Sequence, residues 1–456
     1  MVSLRPAKVL ESDPALHCNA RMQFVHGLFG VAVFCVLAWL LSSHKRIIPW
    51  RIVLGGLGLQ FVLAWFFVDQ KTGRALFQSA ANFVNKLIGM NQQGTEFVFG
   101  PLANYPKMEG VFGADSAFIF AFAGNGLVAI IFFSALMSVL YHLGVMQFLV
   151  WLLARLMSKL LGVSGSESMS MAANVFVGQT EAPLVVKPYI SAMTKSELNA
   201  MMVGGFATLA GSVLAVYMGL IGEEYGPHLL TASVMSAPAA FVVAKLMQPE
   251  TETSPTARKL ELKFKRDSSN LIEAATNGTQ DGLKLWLNVL AMLIAFIALV
   301  NLINWPLGAI GESMGMEEGV LSLSYLFGKV LAPLAWCMGV DGWHDCELFG
   351  SLLGTKIAVN EFVAFKDMIG MLPAKEVAES AVATVRAGAF EHERSAAMAA
   401  YALCGFANFG SVGIQIGGIT PLAPNRKGDL SRLAMRAMIG GAFASWMTAT
   451  VAGIFI

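Results

Sequence analysis

The sequence reads Gly205-Phe206-Ala207-Thr208-Leu209-Ala210-Gly211-Ser212-Val213 and, later, Gly405-Phe406-Ala407-Asn408-Phe409-Gly410-Ser411-Val412. Both stretches are polar interruptions of apolar runs that are long enough to cross a membrane. An acidic break lies upstream of each, Gln179-Thr180-Glu181 in the first half and Asn360-Glu361 in the second. Paired interrupted segments at corresponding positions of two halves indicate the substrate site of a transporter. The pattern therefore predicts a duplicated membrane fold with a broken centre.

Composition places the chain in a lipid bilayer, since 56% of its 456 residues are hydrophobic and only 13% are charged. Backbone groups cannot stay unpaired in lipid, so the spanning segments are expected to be helices. We predict an all-α polytopic membrane protein of the cell (inner) membrane, whose first span is retained and is not a signal peptide. Eight transmembrane helices are predicted from apolar runs near the roughly 20 residues that a span needs: 22–42, 48–69, 117–143, 196–222, 227–247, 283–303, 395–420 and 430–453.

Charge is distributed unevenly between the loops. Basic residues concentrate after spans one, five and seven, around Lys45, Lys263 and Arg432, and an excess of Lys and Arg is typical of cytoplasmic loops. Acidic residues such as Glu223 and Glu317 lie in loops of the opposite side, so both termini are predicted on the outer face. A net charge of +1 provides no basic surface for nucleic acid. The five cysteines lack metal-ligand spacing, which argues against a zinc site or a disulfide framework.

Two further apolar segments, 145–161 and 320–338, do not have the pattern of simple spans. The first has polar residues among apolar ones, as a helix lying in the membrane interface does, and the second is its counterpart. After each, the chain runs into the acidic break and out again, which predicts re-entrant hairpins with Glu181 and Glu361 at their tips. The order span, helix, hairpin, broken span, span thus occurs twice, as inverted repeats.

The predicted boundaries follow from this order. Spans one and two form an N-terminal part, 1–70, and an outer connecting segment covers 71–116. The first repeat covers 117–247, with span three, the interfacial helix, hairpin 1, broken span four and span five. A charged cytoplasmic linker, 248–282, leads to the second repeat, 283–456, with span six, an outer helix, hairpin 2, broken span seven and span eight.

Four motifs resemble the signatures of the concentrative nucleoside transporters: Asn174-Val175-Phe176-Val177-Gly178-Gln179-Thr180-Glu181-Ala182-Pro183, Gly205-Phe206-Ala207-Thr208, Asn360-Glu361-Phe362-Val363-Ala364-Phe365 and Cys404-Gly405-Phe406-Ala407-Asn408-Phe409. The resemblance covers the chain from span three to span eight, in the same order as in that family. It implies a homotrimer in which the interfacial helices with spans three and six form a scaffold, while hairpins and broken spans form a moving transport domain. It also implies nucleoside uptake driven by a sodium gradient.

The resemblance further implies which residues contact the substrate. A nucleoside offers ribose hydroxyls to a carboxylate and an amide, and a base edge to other polar groups. A carboxylate at bilayer depth costs about 2.5–3.5 kcal/mol, so the two glutamates are expected to have a function. The substrate-binding residues implied for the base side are Gln179, Thr180, Glu181 and Val213, and those implied for the ribose side are Glu361, Asn408 and Ser411, with Phe406 against the base.

Sodium is the co-transported ion that the resemblance implies. A hard monovalent cation takes oxygen ligands, and an unwound helix end frees carbonyl groups for it. The resemblance places the ion at Asn174, Val177, Thr208 and Leu209, of which Asn174 and Thr208 offer side-chain oxygens. Proton coupling through Glu181 or Glu361 stays open as an alternative.

Several of these residues also have purely structural interpretations. Thr208 and Ser411 can hydrogen-bond back to their own helices, Asn174 can bond to a neighbouring helix, and Lys356 can neutralise Glu361. An ion channel would need rings of like residues along a pore, and no such row is visible. An intramembrane enzyme would need a nucleophile with a base or a metal cluster, which the seven histidines do not supply. A secondary active symporter, not an enzyme, is therefore the predicted function.

Overall fold

The structure is a computed structural model that describes residues 14–103, 108, 110–111, 127–256, 268–317, 319–373 and 389–456. Helices and connecting loops make up this described part of the chain, in which no β-strand occurs. The predicted all-α class is therefore confirmed. Helices satisfy their own peptide groups, which is the requirement that lipid imposes on so apolar a sequence.

The helices before and within the first repeat are numbered in chain order. They are α1 (Pro14–Leu40), α2 (Trp50–Ala64, extended by a π-helical turn over Trp65–Asp69), α3 (Lys71–Phe99), α4 (Ala129–His142), α5 (Val145–Leu161), α6 (Gly165–Asn174), α7 (Ala182–Val185), α8 (Lys187–Ile190), α9 (Lys195–Ala207), α10 (Gly211–Ile221) and α11 (Gly226–Met247). Hairpin 1 consists of α6 to α8, and α9 and α10 are the two halves of broken span four.

The second repeat has the same order of elements. Its helices are α12 (Leu271–Ser313), α13 (Leu323–Cys337), α14 (Trp343–Ala358), α15 (Glu361–Ile369), α16 (Glu393–Leu403), α17 (Phe409–Ile419) and α18 (Lys427–Gly453). Hairpin 2 consists of α14 and α15, and α16 and α17 are the halves of broken span seven. α12 begins inside the segment predicted as a linker, where Asn270 caps it by accepting a hydrogen bond from Glu273 N (2.9 Å).

Five segments of the described chain are long and apolar enough to cross a membrane: Met22–Leu40, Trp50–Asp69, Lys195–Ile221, Gly226–Met247 and Leu271–Ser313. α4 and α5 pass the same test only as a pair, and they meet at an angle of 77°. The other predicted spans are not among these five segments, for local reasons. Span seven is divided by its break, α18 begins with charged and small residues, and 112–126 of span three lie outside the described residues.

Loop contacts divide the helix ends between two faces of the bundle. On the first face, Met247 O accepts hydrogen bonds from Ser43 N (2.9 Å) and Arg436 Nη2 (3.1 Å). On the second face, Arg394 donates to Gly339 O (2.7 Å) and to Gly453 O (2.8 Å). The basic loops predicted to be cytoplasmic thus share the first face, and the C-terminal end of α18 lies on the second.

The bases of the two hairpins lie on opposite faces. At the first face, α6 and α9 begin with capping boxes, and the cap residue of α6, Ser164, donates to Glu197 of α9. Glu167 in the first turn of α6 pairs with Lys245 of α11 at 2.5 Å. At the second face, the Asp345 carboxylate near the start of α14 accepts a hydrogen bond from His392 N (3.2 Å), the cap of α16. The hairpins therefore extend toward each other, as inverted repeats require.

Helix α12 packs on α4 through glycines. A Cβ at Gly278 would lie 2.6 Å from Ser134 O and 2.6 Å from Ser138 Cβ, and a Cβ at Gly282 would lie 2.7 Å from Ile131 Cα. Small residues at such positions allow close approach of helix backbones in a membrane.

Gly278→Ala is expected to destabilise the protein by about 1–3 kcal/mol, because the added methyl group overpacks the α12–α4 contact. Gly308→Ala in the same helix is the matched control, since no atom lies within 4 Å of its Cβ position. That control is expected to be neutral or to gain up to about 1 kcal/mol from helix propensity. Thermal unfolding of both variants in detergent measures the difference, and equal midpoints would contradict the packing argument.

Candidate functional site

The two helix breaks contact each other directly. Gly405, at the second break, has a φ of +124°, and a Cβ there would lie 2.8 Å from Phe206 O and 2.9 Å from Ala207 O. Gly205, its counterpart in the last turn of α9, lies so close to Gln415 of α17 that a Cβ would be 2.3 Å from Nε2 of that side chain. Glycine alone permits such backbone approach with a positive φ. The duplicated Gly-Phe-Ala stretch therefore brings the two breaks together.

The tip of hairpin 1 is attached to the first break through its backbone. Gly211 N, at the start of α10, donates to Phe176 O at 2.9 Å, and Ser233 Oγ of α11 donates to Val175 O at 2.9 Å. These bonds satisfy carbonyl groups that the end of α6 leaves without helical partners. The tip, 175–181, is thereby held beside broken span four.

A buried carboxylate, Glu361, connects hairpin 2 to both broken spans. It is 6% exposed, and its Oε1 accepts a hydrogen bond from Tyr217 OH of α10 (2.8 Å). Its Oε2 accepts one from Asn408 Nδ2 (3.0 Å), and Asn408 Oδ1 in turn accepts from Ser411 N of α17 (2.8 Å). A carboxylate has about four acceptor positions, so each oxygen keeps capacity for one further donor. Three of the predicted ribose-side residues are thus joined in one hydrogen-bond network.

Tyr217 belongs to this network as well, although it is not among the site residues predicted from the sequence. The side chain is 1% exposed, and its ring centroid lies 4.5 Å from that of Phe365 on hairpin 2. Residues four apart on a helix share a face, and Tyr217 follows Val213 at that spacing. This spacing from a predicted site residue is the sequence signal that points to Tyr217.

The three polar residues at the tip of hairpin 1 have different surroundings. Gln179 is 7% exposed and packs on Gly205. A Cβ atom added to Gly205 would lie 3.0 Å from Gln179 Cβ. Thr180 packs on Gly418 of α17, where a Cβ would lie 2.7 Å from Thr180 Cγ2. Glu181 is exposed and forms no ion pair with another described residue. The structure therefore brings Gln179 and Thr180 to the broken spans, whereas Glu181 lies at the surface of the tip.

The remaining predicted substrate residues lie on the broken spans themselves. Val213 is 8% exposed on α10, one turn before Tyr217. Phe406 is half-buried in the second break, next but one to Asn408. Ser411 is 3% exposed in the first turn of α17.

Asn174 and Thr208, two of the residues expected to bind an ion, meet at Gly204. Thr208 Oγ1 donates back to Gly204 O at 2.9 Å, which leaves the lone pairs of the hydroxyl oxygen available. Asn174 Nδ2 lies 3.2 Å from the position of a Cβ on Gly204, and both polar atoms of this buried amide lack a partner in the described chain. The interhelical hydrogen bond considered for Asn174 is therefore not formed with any described residue. An unpaired buried polar group costs about 1–3 kcal/mol, and a bound cation would offset this cost at Asn174 Oδ1.

Val177 and Leu209, the other two expected ion ligands, are 6% and 1% exposed. Val177 lies in the tip of hairpin 1, and Leu209 lies in the break between α9 and α10. No described residue donates a hydrogen bond to either carbonyl group. Their carbonyl oxygens are thus free to bind a cation.

Lys356 does not form an ion pair with Glu361. Its Nζ donates to Ala402 O (2.8 Å), Cys404 O (3.4 Å) and Ser445 Oγ (3.0 Å), and no described carboxylate pairs with it. Lys356 and Glu361 therefore form no direct ion pair, and the neutralising role considered for this lysine stays a prediction.

Three family models match the chain. Residues 29–102 match a model described as the N-terminus of a Na+ dependent nucleoside transporter, and residues 228–453 match its C-terminus. Residues 125–224 match a Gate model, described as nucleoside recognition. The matched ranges include both hairpins and both broken spans.

The chain is also similar to individual proteins along most of its length. It is 42% identical over 435 residues to an uncharacterized transporter of Haemophilus influenzae, a match that covers 95% of this chain and 98% of that protein. It is 36% identical over 441 residues to human sodium/nucleoside cotransporter 1, and there 96% of this chain spans 65% of the relative's length. These relatives are transporters, not enzymes.

Solved structures give the same result for the fold. The chain matches CNTnw in an inward-facing substrate-bound state with a TM-score of 0.84 and 39% identity, covering 95% of this chain and 98% of that one. It matches a CNTnw variant in an outward-facing state with a TM-score of 0.86 and 39% identity, covering 95% and 99%. The shared fold is thus recognisable in both conformations.

Tyr217→Phe is expected to lower the free energy of unfolding by about 1.5–3 kcal/mol, because a hydrogen bond to a charged group contributes that much. Tyr401→Phe is the matched control, since Tyr401 is equally buried but its hydroxyl faces His228 Nδ1 at 3.3 Å. The control variant should lose less of the free energy of unfolding. Thermal unfolding compares the two, and equal losses would argue against a charged Glu361 as the partner of Tyr217.

Proposed function

Because the chain belongs to the concentrative nucleoside transporter family, we propose that it is a secondary active symporter importing nucleosides such as uridine across the cytoplasmic membrane. Sodium-dependent nucleoside transport is the activity of this family, and sodium is the co-transported ion. The proposal that a nucleoside is the substrate depends on the Glu361 carboxylate, which is buried where both broken spans meet hairpin 2. Each of its oxygens accepts one hydrogen bond from a protein donor.

The ribose binds at Glu361 in this proposal. Vicinal hydroxyls are hydrogen-bond donors, and the carboxylate keeps acceptor capacity beyond the bonds from Tyr217 and Asn408. Ser411 N orients the Asn408 amide, so the side chain that meets the ribose is held in one rotamer. Phe406, half-buried in the adjacent loop, provides an aromatic face for the base.

The base binds on the hairpin 1 side. Gln179 Oε1 is buried without a partner in the described chain and offers an acceptor to a base N–H group. Thr180 offers a hydroxyl, Val213 offers an apolar contact to the ring, and the exposed carboxylate of Glu181 completes the polar edge. An uncharged ligand with a sugar at one end and a base at the other fits these two groups of side chains.

Sodium binds between hairpin 1 and broken span four. The ligands are the side-chain oxygens of Asn174 and Thr208 and the carbonyl oxygens of Val177 and Leu209. This set supplies only oxygen, as a hard monovalent cation requires, and the C-terminal end of the half-helix α9 adds its negative dipole. An ion at this position stabilises the tip that carries Gln179, so sodium and nucleoside binding favour each other.

Transport proceeds by alternating access within a homotrimer. The interfacial helix α5 with α4, α12 and α13 forms the scaffold, and the hairpins with the broken spans form the moving domain. The apolar surface of α12 supports this assignment, since Ile294 is 75% and Leu302 62% exposed in the single chain. Such a surface needs lipid or another subunit to cover it.

Uptake of radiolabelled uridine into proteoliposomes tests the proposal. Accumulation is expected under an inward sodium gradient and is expected to stop when that gradient is collapsed. Accumulation under a proton gradient alone would instead support the proton-coupled alternative. Absence of uptake under both gradients would exclude the nucleoside assignment.

Glu361→Gln and Asn408→Ala are each expected to weaken uridine binding at least about tenfold, because each removed hydrogen bond to the carboxylate contributes about 1.5–3 kcal/mol. Glu312→Gln, at an exposed glutamate of α12, serves as the control and should bind uridine as the unaltered protein does. Calorimetry in detergent measures the affinities. Unchanged binding in both site variants would refute the ribose assignment.

Thr208→Ala is expected to raise the sodium concentration for half-maximal uptake at least about tenfold, because one oxygen ligand is lost. Thr231→Ala is the matched control, since Thr231 is equally buried and also donates back to its own helix, to Pro227 O at 2.7 Å. Sodium titrations of initial uptake rates compare the two. If both variants raise the sodium concentration for half-maximal uptake equally, Thr208 has only a structural role, namely the hydrogen bond to its own helix.

A further inference from the structure

Gln415 of α17 carries a buried amide that the nucleoside site described under Proposed function does not include. The residue is fully buried, and its Nε2 donates to Met202 O of α9 at 3.0 Å. A carbonyl oxygen can only accept, so the nitrogen is the end of the amide that faces Met202. Oε1 is the other end, and it accepts no hydrogen bond from a described residue.

The position of Gln415 along α17 lies between the ribose side and the base side of the proposed site. Ser411, on the ribose side, precedes it by four residues, and Gly418 follows it by three, so the three residues share one face of the helix. Gly418 packs on Thr180 of the base side, since a Cβ added to Gly418 would lie 2.7 Å from Thr180 Cγ2. This face of α17 therefore connects the two sides of the site, with Gln415 in the middle.

Gln415 and Gln179 lie on either side of Gly205. A Cβ added to Gly205 would be 2.3 Å from Gln415 Nε2 and 3.0 Å from Gln179 Cβ. Because glycine has no side chain, the two glutamines approach each other here, one from α17 and one from the tip of hairpin 1. Oε1 of Gln179, like Oε1 of Gln415, is buried without a partner in the described chain. Two acceptors that lack donors are thus carried by neighbouring side chains.

Two neighbouring acceptors fit a ligand group that supplies two donors. A buried acceptor without a donor is unfavourable, so a ligand that satisfies both oxygens binds more tightly than one that satisfies neither. Among the parts of a nucleoside base, an exocyclic amino group has two N–H donors on one nitrogen, as in cytosine and adenine, whereas a carbonyl group at the same position is an acceptor.

We propose that Gln415 is a further specificity-determining residue, whose Oε1 and the Oε1 of Gln179 accept the two hydrogens of an exocyclic amino group on the base. The proposal rests on the nucleoside site given under Proposed function. The bond from Nε2 to Met202 O keeps the Gln415 amide in one orientation. The preferred substrates are therefore nucleosides with an amino-substituted base, such as cytidine and adenosine, and uridine binds more weakly than cytidine.

Ligand pairs that differ only in the amino group test the proposal on the unaltered protein. Calorimetry in detergent with sodium compares cytidine with pyrimidin-2-one riboside, and adenosine with purine riboside. In at least one pair the amino nucleoside is expected to bind at least about tenfold more tightly, because two hydrogen bonds are lost with the amino group. Equal affinities within both pairs, or binding of uridine alone, would overturn the proposal. Absence of binding by all five nucleosides would refute the proposed function itself.

Gln415→Leu removes the acceptor at similar volume and is expected to lower the affinity ratio within that pair about fivefold, because one of the two hydrogen bonds is lost. Gln60→Leu, on α2, is the matched control. Gln60 is also fully buried, its Nε2 donates to Thr448 Oγ1 at 3.0 Å, and its Oε1 likewise has no partner among the described residues. The control variant should keep the affinity ratio of the unaltered protein.

The affinity ratio separates recognition of the base from packing of the helices. If Gln415 only joins α17 to α9, Gln415→Leu weakens both members of a pair equally, and an unchanged ratio would overturn the proposal. Thermal unfolding of both variants shows whether each one folds. Where Gln415→Leu does not fold, the affinities measured on the unaltered protein decide the question.

Discussion

Gly405 packs against the carbonyl groups of Phe206 and Ala207, and through this contact the two interrupted spans meet inside the protein. An interrupted helix exposes backbone groups, and lipid offers them no partner. The interruptions are tolerated because the breaks and the hairpin tips satisfy each other, as Gly211 N and Phe176 O show. The molecule can therefore have a polar centre, because the backbone groups freed at the breaks and at the hairpin tips form hydrogen bonds with each other.

The two repeats use the same backbone plan with different side chains. Thr208 returns its proton to its own helix and leaves oxygen lone pairs, whereas the equivalent Asn408 reaches Glu361. Asn174 is buried without a partner among the described residues, whereas Lys356 donates to three acceptors. At these compared positions the first repeat has unmet polar capacity, whereas the second repeat's side chains have partners. This contrast is consistent with the proposed division between an ion end and a ribose end.

The predicted helix order and the inverted repeats agree with the structure because they depend on local patterns, namely apolar run length, capping residues and interruptions. Membership in the nucleoside transporter family also follows from contiguous motifs. The residues that the prediction missed or misplaced depend on contacts between distant segments. Tyr217 is separated from Glu361 by 144 positions, and Lys356 turned out to bond carbonyl groups instead of the nearby glutamate.

Sequence by itself determined that this chain crosses a membrane as helices, that its two halves are related, and that both are interrupted at Gly-Phe-Ala. These are properties of consecutive residues, and the absence of water in lipid makes them decisive. Only the tertiary structure decided which polar groups are paired and which remain available. Lys356 donates to three acceptors, and the Asn174 amide has no partner in the described part of the chain. Hydrogen bonds extend only about 3 Å, so side chains from opposite hairpins find partners only after the helices have packed.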